Sequence, residues 1–259
     1  IDKWLGAGVI DGGVWSQTET GTAQGASVSP LLAKVYLHYV FDQWADWWRR
    51  RHAHGDVIIV RYADDYIVGF QHQRDAQRFL CDLRSRLAKF ALELAGEKTR
   101  LIQFGRFAAQ QRQQRGLGKP ETFDFLGFKH VCSMTRNGRF MLKRITIAKR
   151  MQAKLREVKE ELKRRAHHPI PEQGQWLGSV VRGHYAYFAV PGNSDSIIAF
   201  HKQVTRHWYR SLRRRSQRSR LNWTRMSRIA AQYLPPPRRM HPFPNERFDA
   251  RTQGRSPVR

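Results

Sequence analysis

The chain has 259 residues and a mass of 30.4 kDa, which is enough for one large domain or two smaller ones with a hydrophobic core. Hydrophobic residues make up 41% of it, which excludes wholesale disorder. No apolar run approaches the roughly 20 residues that a membrane span needs. Two cysteines, Cys81 and Cys132, are too few for a disulfide framework or a Cys-rich zinc site. We expect a cytoplasmic protein with neither a membrane nor a zinc partner.

Positive charge is unevenly distributed along the chain. Lys and Arg number 47 against 21 Asp and Glu, a formal net charge of +26. Residues 1–140 hold 20 basic and 14 acidic residues, whereas residues 141–240 hold 23 and 5. The second region is also rich in aromatic residues, and arginine beside aromatic rings suits RNA, because both stack on bases while the charge meets phosphate. A nucleic-acid partner is favoured over an anionic membrane or a merely solubilising charge.

The first predicted elements are a helix and an acidic hairpin. A Ser-Pro pair at residues 29–30 has the residue types of a helix start, and apolar residues at helical spacing extend the pattern to about residue 51. Two β-rich runs within 57–70 flank Ala-Asp-Asp, which predicts a hairpin with acids at its tip. A second amphipathic helix follows over 76–90, and then a turn and a strand within 92–104.

Further along, polar residues over 105–120 predict an exposed loop. A strand over 123–131 is predicted to pair with residues 139–145 across Asn137 and Gly138. Helical patterns then dominate, over 147–166, 175–189 and 196–216.

The predicted fold class is α+β. Residues 1–140 read as an antiparallel sheet with helices, residues 141–235 as an α-helical domain, and residues 236–259 as a basic, Pro-rich and irregular tail. The change of character near residue 140 predicts a boundary between two modules.

The adjacent pair Asp64 and Asp65 is the strongest indication of a chemical function in this sequence. Adjacent carboxylates between hydrophobic strands repel each other unless a cation neutralises them, and hard oxygen ligands suit Mg²⁺. In a basic protein, such a pair suggests nucleotidyl or phosphoryl transfer assisted by two metal ions. On the dipeptide alone an ordinary solvated turn is the better interpretation, so the neighbouring motifs decide.

Six sequence blocks follow one another along the chain: Gly-Thr-Ala-Gln-Gly-Ala-Ser-Val-Ser-Pro-Leu-Leu-Ala at 21–33, Arg-Tyr-Ala-Asp-Asp-Tyr-Ile-Val at 61–68, Glu-Lys-Thr at 97–99, Phe-Leu-Gly-Phe at 125–128, Arg-Gly-His-Tyr-Ala-Tyr-Phe at 182–188 and Pro-Phe-Pro-Asn-Glu-Arg-Phe-Asp-Ala-Arg at 242–251. These blocks, in this order, resemble those of bacterial reverse transcriptases/maturases encoded by group II introns.

The resemblance implies an RNA-directed DNA polymerase with a partial palm, followed by a thumb and maturase domain. Its partners would be intron RNA, an RNA template with a DNA primer, and dNTPs. Asp64 and Asp65 would hold two catalytic Mg²⁺ ions, and Lys98 would act as a general acid near the leaving pyrophosphate. The nucleotide and template pocket would include Gln24, Gly25, Tyr62 and Ala63, the primer grip Phe125, Leu126 and Gly127, and the RNA-binding surface Arg182, Arg213, Arg214, Arg215 and Arg218.

The sequence departs from the family pattern in two ways. Ala23, Ala26 and Lys34 stand where Pro, Gly and Asn are usual. The family also has fingers and a third catalytic Asp, on a strand that its pattern puts upstream of Ile1. We therefore expect this chain to be the C-terminal part of such a protein.

Two alternatives remain open from the sequence. The chain could be a polymerase-dead RNA-binding maturase that only promotes intron folding and splicing. It could also be a domesticated or defence-associated reverse transcriptase without an intron, against which the maturase-like block at 182–188 argues.

Overall fold

The computed structural model describes the backbone of residues 9–11 and 14–16, and then residues 29–246 except 136, 217, 218 and 245. The chain forms two compact units, the N-terminal unit (Ile1–Ile102) and the C-terminal unit (Gln103–Arg259). Of the helices within these described ranges, none is long and apolar enough to cross a membrane.

The N-terminal unit combines two antiparallel hairpins with helices. The helix predicted from residue 29 to about residue 51 is present, but a π-helical turn interrupts it, which the apolar spacing did not indicate. The elements are β1 (Val9–Asp11), β2 (Val14–Ser16), α1 (Ser29–Leu37), the π-helical turn (His38–Asp42), α2 (Gln43–Arg51), β3 (Val57–Tyr62), β4 (Asp65–Phe70) and α3 (Gln73–Ala88).

Aromatic side chains form the core of this unit. Phe41 and Trp48 are fully buried, and Trp48 also donates its indole N–H to Asp82 at 2.8 Å. The hairpin packs on this core through β4, since Tyr66 contacts Phe41 with ring centroids 4.6 Å apart and Phe70 meets Trp48 edge to face. The hairpin is thereby fixed on one face and open on the other.

The C-terminal unit is a three-stranded antiparallel sheet followed by helices, which agrees with the predicted α+β class. The elements are α4 (Ala108–Gln114), β5 (Phe123–Phe125), β6 (Phe128–Met134), β7 (Phe140–Thr146), α5 (Ala148–Arg164), α6 (Ile170–Phe188), α7 (Ser194–Arg213) and α8 (Trp223–Tyr233). The predicted pairing across Asn137 and Gly138 is confirmed, with Met134 opposite Phe140.

Three predictions of secondary structure were wrong. Residues 92–104 contain no strand, residues 105–120 contain α4, and the single strand over 123–131 is a tight hairpin. The hairpin forms because Leu126 and Gly127 both have positive φ, 47° and 81°, which turns the chain within two residues.

Buried contacts join the helices into one core. Trp208 of α7 is fully buried and donates its indole N–H to Gln173 of α6 at 2.9 Å. Helix α8 packs closely on α6, because a Cβ added at Gly178 would lie only 2.6 Å from the carbonyl oxygen of Tyr233. Close helix packing of this kind requires a residue without a side chain at position 178.

The sheet belongs to the same compact unit as these helices, so the division lies upstream of the module boundary predicted near residue 140. The buried side chain of Asn193 makes the connection. It donates to Thr146 Oγ1 at 2.7 Å and to the carbonyl oxygen of Phe188 at 2.8 Å, and it accepts from the Thr146 N–H at 2.9 Å. The functional boundary at 140 stays a prediction.

Candidate functional site

The tip of the β3–β4 hairpin carries both candidate acids. Tyr62 pairs directly with Asp65, so the turn consists of Ala63 and Asp64 alone. Ala63 has φ of 54°, in the left-handed region that two-residue hairpin turns use and that residues with a Cβ rarely adopt. All four side chains from Tyr62 to Asp65 are exposed, and Tyr62 is 65% exposed. The sequence predicted this acidic hairpin tip.

The strand register determines which side chains share a face with the acids. Tyr62 and Asp65 lie on the same face of the hairpin as the cross-strand pair Val60 and Ile67, because side chains of a strand alternate. Val60 is 47% exposed, so this outer face is apolar, open and ends in a carboxylate. Such a face can accept a ligand that is part apolar and part cationic or metal-bound.

The two carboxylates have no competing partner in the described part of the chain. Among residues 29–246 that the structure describes, none donates a hydrogen bond to Asp64 or Asp65 or forms an ion pair with either. Exposed oxygen ligands without a cationic neighbour fit a hard divalent ion, which would complete its coordination with water and substrate phosphates. No third acidic, His or Cys side chain within the described ranges joins them in a metal-binding group.

An arginine directly before the tip holds its backbone. Arg61 donates Nε to Asp42 Oδ1 at 2.6 Å and Nη2 to Asp42 Oδ2, and its Nη1 donates to the carbonyl oxygen of Ala63 at 2.8 Å. The Arg61 side chain is only 10% exposed. The hydrogen bonds from Arg61 lower the pKa of Asp42, so this bidentate pair stays ionised. The π-helical turn therefore anchors the hairpin tip.

The opposite end of β3 is held by a second carboxylate. Asp75 of α3 is 2% exposed and accepts from the His54 N–H at 2.8 Å, from His54 Nδ1 at 2.9 Å and from the Gly55 N–H at 3.2 Å. The hydrogen bond from the His54 ring is the largest of the causes that lower the pKa of Asp75. Its contacts with Asp75 thus hold His54 in the loop that precedes β3.

The remaining residues predicted for this site are Lys98, Gln24 and Gly25. Lys98 is exposed on a turn closed by its N–H, which donates to the carbonyl oxygen of Ala95 at 3.0 Å. No hydrogen bond or ion pair in the described part of the chain joins Lys98 to the hairpin tip. Gln24 and Gly25 lie outside the described residues, so their predicted roles stay predictions.

The predicted primer-grip residues lie on the β5–β6 turn of the C-terminal unit. The carbonyl oxygen of Leu126 accepts from the Tyr187 hydroxyl at 2.8 Å, and the Gly127 carbonyl accepts from the Ile147 N–H at 3.1 Å. Phe125, at the end of β5, is half-buried. The turn is therefore fixed to α6 and to the start of α5, and it can act as a rigid edge.

The predicted RNA-binding arginines differ in what they contact. Arg182 and Arg214 are exposed, and Arg213 lies over the ring of Tyr209 at 5.8 Å. Arg215 is partly buried, donates Nη2 to the carbonyl oxygen of His168, and has a pKa lowered by burial. Arg215 therefore has a structural contact that sequence reasoning did not foresee. Arg218 lies outside the described residues.

Comparison with known protein families identifies the class of the chain. The family model of reverse transcriptases (RNA-dependent DNA polymerases) matches residues 1–130, half of the chain. The chain belongs to this family. Reverse transcriptase domains act on nucleic-acid templates and primers with nucleotide substrates, and they generally use divalent metals such as Mg²⁺. A comparison with curated proteins found no match.

Sequence reasoning missed Arg61 and Asp42. Arg61 directly precedes the Tyr-Ala-Asp-Asp motif, so its position was a signal that could have singled it out. Asp42 lies 19 residues earlier in the chain, and only the tertiary structure brings its carboxylate to Arg61.

Proposed function

We propose that the chain is the RNA-directed DNA polymerase of a group II intron, with maturase activity in the splicing and mobility of that intron. One observation carries the polymerase assignment: Asp64 and Asp65 are adjacent, exposed and free of partners among the described residues, on a hairpin tip that Arg61 anchors. Family membership gives the reaction class. The assignment to group II introns depends on the sequence blocks at 21–33 and 182–188.

The proposed chemistry is nucleotidyl transfer at the hairpin tip. Asp64 and Asp65 would hold two Mg²⁺ ions, which would activate the attacking oxygen and offset charge on the leaving phosphate. Tyr62 would lie against the primer end or the incoming nucleotide, because its exposed ring shares the face of Asp65. Lys98 would donate a proton to the leaving pyrophosphate. Phe125, Leu126 and Gly127 would hold the primer.

The proposed maturase activity rests on the C-terminal unit. The predicted RNA-binding arginines of this unit would contact phosphates of the intron RNA, with the salt dependence that such contacts bring. Among the described residues, none of Arg182, Arg213, Arg214 and Arg215 pairs with a carboxylate, and Arg215 alone of the four donates to a backbone carbonyl, that of His168.

Mg²⁺-dependent primer extension on an RNA template tests the polymerase assignment. We expect extension by the full chain and its loss in Asp64→Asn and Asp65→Asn, because the amide is a poorer ligand for a hard cation. Asp56→Asn is the matched control, since Asp56 is an exposed acid just before β3. Binding of Mn²⁺, followed by its paramagnetic effect on water relaxation, gives a readout besides activity. Extension that persists in both tip variants contradicts the assignment, and a wild-type chain that extends no primer favours RNA binding without polymerisation.

A second candidate function is RNA binding and intron splicing without polymerisation. It is favoured by the finding that the described residues bring no third acid to Asp64 and Asp65. In vitro splicing of the intron RNA that flanks the coding sequence separates the two candidates. Splicing promoted equally by wild type and Asp64→Asn, with no extension by either, supports the second candidate.

A further inference from the structure

An open cleft of about 350 Å³ lies at the C-terminal end of α7, on a surface distant in sequence from the hairpin tip. We call it the arginine cleft. Its lining residues are Arg206, Tyr209, Arg210, Arg213, Arg214 and Trp223.

The spacing of residues along α7 builds the basic wall of the cleft. Arg206, Arg210 and Arg213 follow one another at four and three residues, so they lie on one helix face. Trp208 and Leu212 of the same helix are buried in the core. An amphipathic helix thus directs its arginines away from the core, into the cleft.

The aromatic wall of the cleft is formed where the start of α8 packs against α7. The ring of Trp223, the first residue of α8, stacks on Tyr209 with centroids 4.2 Å apart and planes at 26°. The Tyr209 hydroxyl donates to the carbonyl oxygen of Leu221 at 3.4 Å, which fixes the approach to α8. Trp223 remains 49% exposed, so one face of its ring is open for stacking.

The arginines of the cleft lack acidic partners. None of the four forms an ion pair with a carboxylate in the described ranges, and between Asp195 and Glu246 the sequence has twelve Lys and Arg and no acid. The negative end of α7 is equivalent to roughly half an elementary charge, which offsets only part of this positive charge. Burial and then the charge of Arg210 lower the pKa of the neighbouring His207, as a positive potential requires. An anionic ligand would complement the positive charge of the cleft.

We propose that the arginine cleft binds a single-stranded segment of RNA, with phosphates on Arg210 and Arg213 and an unpaired base on the open face of Trp223. The guanidinium fork matches phosphate oxygens, and bases stack on aromatic rings irrespective of sequence. A double helix keeps its bases stacked on each other, so an unpaired strand fits this wall. The inference rests on the proposed RNA binding by the C-terminal unit and names the ligand and the residues.

Fluorescence anisotropy of a labelled oligouridylate with the full chain tests the aromatic wall. Trp223→Ala is expected to weaken binding about tenfold, within the range for one base stacked on an aromatic ring. Trp223→Phe should restore most of the affinity, because a smaller ring still stacks. Neither variant should change the affinity for inorganic polyphosphate, which has no bases.

The charged wall is tested by the salt dependence of the same binding. The plot of log affinity against log salt has a negative slope. The double variant Arg210→Gln, Arg213→Gln should reduce the magnitude of this slope by about 1.4, since each contact to a single strand contributes about 0.7. The double variant Lys149→Gln, Arg156→Gln removes the same charge from exposed positions of α5 and should leave the slope unchanged.

Any of several outcomes overturns the inference. The α5 control could reduce the magnitude of the slope as much as the cleft variant, duplex RNA could bind as tightly as the oligouridylate, or Trp223→Ala could weaken polyphosphate and RNA equally. Circular dichroism of each variant excludes misfolding as the cause. A wild-type chain that binds RNA with cleft variants unaffected overturns the inference alone, whereas a chain that binds no RNA also overturns the proposed RNA binding.

Discussion

The hairpin tip of the N-terminal unit and the arginine cleft of the C-terminal unit differ in how their charged side chains are paired. In the N-terminal unit, the bidentate pair of Arg61 and Asp42 anchors the hairpin tip, where Asp64 and Asp65 are exposed and have no partner among the described residues. In the C-terminal unit, the four arginines of the cleft have no acidic partner in the described ranges, although other cations of that unit are paired on its surface, as Arg165 is with Glu161. Paired ions position a small acidic site, whereas unpaired cations offer a surface to a polyanion. Substitutions in each unit test this difference.

The largest expected effect is at Arg61. Arg61→Lys removes the bidentate pair with Asp42 and the hydrogen bond to the Ala63 carbonyl, so the acids lose their fixed position. We expect kcat for primer extension to fall about hundredfold, as small misplacements of reacting groups can cause. KM for the nucleotide should change far less. Arg78→Lys, on the exposed face of α3, is the control. Equal kcat in the two variants would show that Arg61 has no positioning role.

The next effect is on stability, at Asn193. Asn193→Ala leaves the buried Thr146 N–H without the Asn193 acceptor and removes one of the hydrogen bonds to the Phe188 carbonyl, and we expect a loss of about 3 kcal/mol in the free energy of unfolding. Asn222→Ala removes an exposed N-cap bond of α8, from the Arg225 N–H, and should cost about 1 kcal/mol. Urea unfolding followed by circular dichroism measures both. Equal losses would mean that Asn193 does not tie the sheet to the helices.

Substitution of two glycines of α6 by alanine is expected to change the stability in opposite directions. Gly178→Ala forces Cβ against the Tyr233 carbonyl and should destabilise by about 2 kcal/mol, as overpacking does. Gly183→Ala meets no atom within 4 Å and should stabilise by up to about 1 kcal/mol, because alanine favours a helix. Thermal unfolding compares them. A Gly178→Ala chain as stable as wild type would contradict the close packing of α8 on α6.

The last expected effect concerns the acid stability of the C-terminal unit. Burial, and secondarily the charge of Lys154, lowers the pKa of His184 to about 4 from 6.5. Between these values the unfolded chain binds a proton that the folded chain does not, so stability falls as pH falls from 6.5 to 4. The slope from this group is at most about 1.4 kcal/mol per pH unit.

The rings of His184 and Phe200 stack with their centroids 3.6 Å apart. His184→Phe keeps an aromatic ring against Phe200 and removes the group that binds the proton. The slope of unfolding free energy against pH should become shallower in this variant. An unchanged slope would mean that His184 is not the group that resists protonation.

Local pattern was enough to predict the acidic hairpin and most helices. Alternating β-rich runs around Asp64 and Asp65 predict a hairpin, because a two-residue turn and strand propensity are properties of neighbouring residues. The helices α1, α3 and α5 follow from apolar spacing in the same way. The Asp-Asp pair, the resembling blocks and the excess of +26 together predicted a nucleic-acid polymerase class before any fold was known.

What the sequence could not predict depends on contacts between distant residues. The strand predicted over 123–131 became a hairpin because Leu126 takes a positive φ that its residue type disfavours, next to a carbonyl bonded by Tyr187. The anchor of Arg61 is Asp42 on another element, and the cleft exists because Trp223 returns to Tyr209. Residue types and their spacing determined the class of chemistry, while only packing decided which charges are paired and which remain free, since pairing depends on distance in space.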